Sequence, residues 1–83
     1  MTNVDLDTLT TQQLCFFSSD NQAAHHAPRA NGWLWVIPGN YFDWTKQICF
    51  AAGTVNASDM YIYTRLKQNG TWGNWYVFTG TSQ

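Results

Sequence analysis

An Asn-Gly pair, Asn69-Gly70, sits between two short stretches of aromatic and β-branched residues, Met60 to Leu66 and Trp75 to Phe78. Asn-Gly tolerates positive φ, so Lys67-Gln68-Asn69-Gly70 reads as a tight turn between antiparallel strands. The first stretch alternates, with Met60, Ile62, Thr64 and Leu66 on one side and Tyr61, Tyr63 and Arg65 on the other. That is the period of a strand, and the more apolar set is expected to face the core. No helical spacing is sustained beyond one turn anywhere in the chain, so the fold is constrained to β-structure.

The rest of the chain reads the same way. Leu14 to Phe17 is a first short strand that runs out in the loop cluster Ser18-Ser19-Asp20-Asn21. Trp33-Leu34-Trp35-Val36-Ile37 is a continuous apolar run bounded by Gly32 and Pro38-Gly39, which predicts a central strand buried on both faces. Lys46 to Ala52 alternates, Gln47 and Cys49 against Ile48 and Phe50. Asp5 to Thr11 suggests a turn or one helical turn, with Leu6 and Leu9 plugging an edge of the core. Asn21 to Gly32 has no periodicity and reads as an ordered surface loop. The expectation is a single all-β domain over residues 1–83: a small antiparallel meander of four to five strands with long ordered loops.

Composition narrows the function classes. Eighty-three residues bury only about 60% of the surface of the unfolded chain, so the core is limited and help from aromatic bulk or neighbouring subunits is expected. Five Trp, four Tyr and five Phe supply that bulk. Charged residues make up 11% of the chain, which leaves little to repel other copies. A net charge of −1 and a pI near 6.0 offer no basic stripe for nucleic acid. No apolar run is long enough for membrane insertion, and no charged leader precedes an apolar segment at the start.

Cys15 and Cys49 lie in apolar contexts without a CxxC spacing; they could close one disulfide, but read first as two reduced core thiols, consistent with synthesis in a cytoplasm. Asp5 and Asp7 are the closest carboxylate pair, and two carboxylates held about 5–9 Å apart are what glycoside hydrolysis requires. Asp in a Thr-rich turn, however, more commonly caps local N–H groups, so a structural role is assigned to both. Asp43 and Asp59 lie in separate loops with no evident partner. His25-His26 is an adjacent pair whose side chains diverge, too few ligands for zinc or iron; no metal and no cofactor is expected.

The aromatic side chains are the stronger candidates. An indole suits the C–H face of a sugar ring, and equally a wet protein interface. Tyr41 and Trp44 stand in a connection rather than in an alternating strand, and are candidates for a ligand platform or for packing on a neighbour. Trp33 and Trp35 share one strand face and are expected to be buried, as structural residues. Trp72 and Trp75 flank a turn and a strand start, where they either close the core's end or offer a ligand surface. Arg65, following Tyr61 and Tyr63, is expected to stack on a tyrosine or to pair with Asp5 or Asp7, a buried ion pair being the preferred role; its functional alternative is contact with an acidic or phosphorylated glycan.

In order and spacing, Asp5-Leu6-Asp7-Thr8-Leu9-Thr10-Thr11, Ala27-Pro28, Leu34-Trp35-Val36, Gln47 before Ile-x-Phe, Tyr61-Ile62-Tyr63-Thr64-Arg65, and Gly70-Thr71-Trp72 with Trp75 span nearly the whole chain. This pattern resembles the pyocin knob domain of R-type pyocin and bacteriophage tail fibres. Where that family has Pro-Gly and an aromatic after the Thr pair, this chain has Gln12-Gln13-Leu14, so the turn there is built differently. The resemblance implies a β-rich module of a homotrimeric fibre that contacts a bacterial surface glycan or other receptor, alongside other tail-fibre segments. It implies equally a spacer behind the receptor-binding tip.

Overall fold

The computed structural model describes residues 1–40, 43–53 and 56–83. Six antiparallel strands form one open sheet: β1 (Gln13–Ser18), β2 (Asn31–Pro38), β3 (Thr45–Ala51), β4 (Ile62–Gln68), β5 (Thr71–Trp72) and β6 (Tyr76–Phe78). The order is β1-β2-β3-β4-β5, and β6 also pairs with β4. The first four strands therefore form the expected meander, and β5 and β6 share the far edge of β4 in succession. Asn69 (φ 53°) and Gly70 (φ 81°) make the two-residue β4–β5 turn, the positive-φ hairpin that Asn-Gly favours. Among the described residues no helix is long and apolar enough to cross a membrane.

The segment read as a loop after β1 contains one helical turn, α1 (Gln22–His25). Asn21 caps it, its side chain accepting from Ala24 N at 3.1 Å, and His26 ends it in the left-handed region at φ 53°. Local capping rather than apolar periodicity makes this turn, which is why hydropathy misses it.

In an antiparallel ladder directly opposed residues share a face. One face carries Cys15–Leu34–Cys49–Tyr63 and Val36–Gln47–Arg65. The N-terminal segment and the α1 loop cover it, and Leu6, Phe17, Leu34, Val36 and Cys49 form its buried core. The core-plugging role expected of Leu6 holds, with Leu9 packed against it. The opposite face carries Leu14–Trp35–Ile48–Thr64–Tyr76 and Phe16–Trp33–Phe50–Ile62–Phe78. Phe16 and Trp33 meet there edge to face, with ring centres 5.4 Å apart.

Two expectations change here. Trp33 and Trp35 are 47% and 43% exposed, because β2, although flanked on both sides, has only one covered face. The β4 assignment inverts as well: Tyr63 and Arg65 lie on the covered face, and Ile62 and Leu66 on the open one. The alternation was legible, but apolarity does not identify the inner face of a sheet that is apolar on both.

Cys15 and Cys49 are both free, and Leu34 separates them in the ladder. Two strand spacings, about 9.6 Å, exceed the roughly 7 Å Cα separation that a disulfide can span. Burial pushes the Cys49 thiol up to about 12.

Candidate functional site

The site begins at a break in the edge strand. Lys67 pairs with Trp72 and Thr64 with Tyr76, so β4 advances three residues while the partner advances four. One extra residue in that stretch is a bulge. In a regular strand residues 72 and 75 would point to opposite faces. The inserted residue puts both indoles on the covered face, one on each side of the Arg65 position. Gly73 N donates to Leu66 O at 2.9 Å and anchors the bulge to β4.

Arg65 is the centre of the arrangement, its side chain 3% exposed. Its guanidinium carbon lies 4.0 Å from the Trp72 ring centre and 4.5 Å from that of Trp75, stacking distances for a cation on an aromatic face. Its Nε donates to Gln47 Oε1 at 2.9 Å, and Nη1 to Asp7 Oδ1 at 2.8 Å. Nη2 is buried with no hydrogen-bond partner among the described residues. Burial draws the guanidinium below its ordinary pKa, while the hydrogen bond and charge of Asp7, with a smaller contribution from Asp5, hold it up. The expected buried ion pair is present, although on the covered face rather than the one opposite the core.

Gln47 and Asp7 carry this cluster to the N-terminal turn. Asp5 caps the 3-10 turn Leu6–Thr8, its Oδ1 accepting from Asp7 N at 2.9 Å. Gln47 Nε2 donates to Leu6 O at 2.7 Å and to Leu9 O at 3.0 Å, which fastens the turn to β3. Trp72 Nε1 donates to Asp7 O at 3.1 Å. The ring stacking expected of Arg65 is on Trp72 and Trp75 rather than on a tyrosine; the role of Gln47 was not legible in sequence, and a glutamine at a core-facing position of a strand is the one signal that could have found it.

His26 closes the cluster on its outer side. Its Nδ1 lies 2.8 Å from Asp5 Oδ1 and 3.3 Å from Asp7 Oδ2, while its carbonyl accepts from Trp75 Nε1 at 2.9 Å. The hydrogen bond to Asp5 raises the imidazole pKa above its ordinary value, helped by the charges of Asp7 and Asp5 and opposed by slight desolvation and by Arg65. For Asp5, burial pushes the pKa up, and the His26 and Asp7 N hydrogen bonds outweigh it to leave the carboxyl below its ordinary value. The two carboxylates and the imidazole lie close enough together to hold a metal ion. Their hydrogen bonds to one another and to Arg65 meet the same charges without one. Of the two carboxylates within its reach, His26 Nδ1 makes its hydrogen bond to that of Asp5.

A cleft of about 370 Å³ opens beside this cluster, walled by Trp72 and Trp75 and edged by Asp7, His26, Arg65 and Asn74. The structure thus brings together three of the five candidate ligand residues, Arg65, Trp72 and Trp75. Trp44 is half-exposed at the β2–β3 connection, its carbonyl accepting from Gly39 N, and it does not line the cleft. Tyr41 lies outside the described residues.

Asp43 and Asp59 do have partners. Asp43 pairs with Lys67 at 3.0 Å, and Asp59 with Arg29 at 3.2 Å. Arg29 also donates to Ser58 O at 2.8 Å and Ala52 O at 2.7 Å, tying the start of β2 to the β3–β4 connection.

No protein-family model, curated protein or solved structure matches the chain.

Proposed function

We propose that this domain is a non-enzymatic recognition module of a phage or pyocin-like tail fibre, carried on a virion or an extracellular phage-tail-like particle. It works as a homotrimer beside other fibre segments and binds a bacterial surface polysaccharide or lipopolysaccharide. The observation that carries this reading is the cleft walled by Trp72 and Trp75: two indoles fixed by hydrogen bonds through their nitrogens, with carboxylate, imidazole and amide groups around the rim. Such a surface suits a sugar, whose C–H face packs on an indole while its hydroxyls reach polar neighbours. Each contact is weak, and three copies at high effective concentration multiply them.

One observation favours a second reading, a fibre spacer without a ligand: Arg65 stacks on both Trp72 and Trp75, which spends a ring face of each on the protein itself.

Retention of the purified domain on immobilised lipopolysaccharides and capsular polysaccharides separates the two. Recognition predicts retention on at least one glycan that falls at least tenfold with Asn74→Ala or Trp75→Phe. Absence of retention on every glycan supports the spacer. Trp44→Ala decides whether the β2–β3 connection belongs to the surface: unchanged retention removes it.

A further inference from the structure

We infer that the cleft beside Arg65 takes a 2-acetamido sugar in preference to a plain hexose or an acidic sugar, with the acetamido carbonyl received by Arg65 Nη2. The inference rests on the recognition reading of the same cleft and narrows its ligand class.

One donor at this cleft is unused. Arg65 gives Nε to Gln47 and Nη1 to Asp7, while Nη2, on a side chain only 3% exposed and stacked against Trp72 and Trp75, has no partner among the described residues. A buried donor in that state has lost its water without gaining a protein acceptor. An acceptor carried by a ligand restores the missing bond, whereas the same acceptor on a hydrated donor only exchanges one partner for another. Arg65 lines the cleft together with residues 73–75, which lie between β5 and β6 and outside the paired strands. A shift of that stretch, with no ladder bond broken, opens the approach to Nη2.

Charge decides which acceptor it is. Asp5 and Asp7 set two carboxylates against one guanidinium and one imidazole. Asp7 already pairs with Arg65 at 2.8 Å and Asp5 with His26 at 2.8 Å, so a ligand carboxylate or phosphate would bring a further anion to cations that are taken. A carbonyl oxygen carries only a partial charge and needs no counter-ion. It also accepts from a guanidinium N–H without displacing Asp7.

The other lining residues fit the rest of the group. An acetamido substituent is a planar amide that ends in a methyl. Ala23 and Ala27 contribute small apolar side chains that leave room for that methyl, and Gln22 and Asn74 contribute amides for the N–H and the ring hydroxyls. A hydroxyl at the same sugar carbon leaves the alanine side empty and reaches less far toward Arg65. The volume of about 370 Å³ is at the small end for ligand clefts and suits one substituted ring.

Titration of the purified domain with N-acetylglucosamine, glucose and glucuronate, followed by NMR through the Trp75 indole and Arg65 Nε–H signals, tests this. Dissociation constants in the millimolar range are expected for single sugars of this size. N-acetylglucosamine should move both signals saturably and bind at least tenfold more tightly than the other two, since a site with an unpaired buried donor discriminates against a ligand that leaves it unpaired. Ala23→Leu, at an exposed position of α1 where leucine is a good helix former, should fill the place of the methyl and weaken N-acetylglucosamine at least fivefold. Equal affinity for glucose, tighter binding of glucuronate, wild-type affinity in Ala23→Leu, or no movement with any of the three sugars would overturn the inference. Retention on immobilised glycans is read separately. A domain retained there without an acetamido preference leaves the recognition reading standing, and one retained on no glycan removes both.

Discussion

Arg65 Nε donates to Gln47 Oε1 at 2.9 Å across the β3–β4 ladder, and both residues are buried. This cross-strand pair joins the N-terminal turn, the two central strands and the bulged edge, because Gln47 also holds Leu6 O and Leu9 O while Arg65 also holds Asp7. Gln47→Ala leaves two buried carbonyls and a guanidinium N–H without their partner, at about 1–3 kcal/mol for such a group, and opens a cavity as well. The expected loss is about 2–4 kcal/mol, read as a lowered urea midpoint with an unchanged m-value. A loss below about 0.5 kcal/mol, the range of ordinary surface changes, would remove Gln47 from this role.

Arg65→Lys tests the geometry of the same cluster. A lysine keeps the charge but has neither the planar fork nor a flat face to stack on two indoles. Unfolding is expected to cost about 1–3 kcal/mol less, the scale of leaving a buried hydrogen-bonding group without its partner. Near-ultraviolet circular dichroism should lose the Trp72 and Trp75 contribution. A lysine variant equal to the wild type in both measurements would refute the stacking account.

His26 makes stability depend on pH with a definite sign. Its folded pKa is raised above the unfolded value of 6.5, so the Asp5–His26–Asp7 contribution is fully present below pH 6.5 and disappears as pH rises through the folded value. Asp5 acts at the other end. Its folded pKa lies below 3.8, so its contribution is present above that pH and disappears as pH falls through the depressed value. Thermal midpoints should therefore decline from pH 6 to pH 8 in the wild type and stay flatter in His26→Gln. An identical decline in both proteins would show that another group titrates.

The β4–β5 hairpin depends on Gly70 for its backbone alone: φ is 81°, and a Cβ there would meet nothing within 4 Å. Gly70→Ala should cost about 1 kcal/mol through left-handed strain. Gly70→Asn should cost less, since asparagine tolerates that region. Chemical denaturation of the two variants gives the comparison, and equal stability of Gly70→Ala and wild type would contradict the turn geometry.

These residues also show what sequence can and cannot reveal. The strands were legible because alternation reports pleat, and the Asn69-Gly70 turn because positive φ selects its residues. A buried ion pair of Arg65 with Asp5 or Asp7 was the expected role, and the partner is Asp7. Which face is inner was not legible. Hydropathy places Ile62 and Leu66 inward, yet a face closed by Leu6 and a Gln47–Arg65–Asp7 network is the covered one. The bulge at residues 73–75 was hidden too, since a one-residue insertion leaves no compositional trace beyond Gly73, and with it went the convergence of Trp72 and Trp75 on one cation.

The central claim is that aromatic side chains, rather than ionisable ones, make this domain adhere. Titration of the purified domain with the glycan that retains it, followed through the five tryptophan indole N–H signals by NMR, tests that claim most directly. The account predicts that the Trp75 signal moves with saturable dependence on glycan while those of Trp33 and Trp35 stay in place. Movement of no indole signal on saturation, or cleavage of the glycan during the titration, would contradict it.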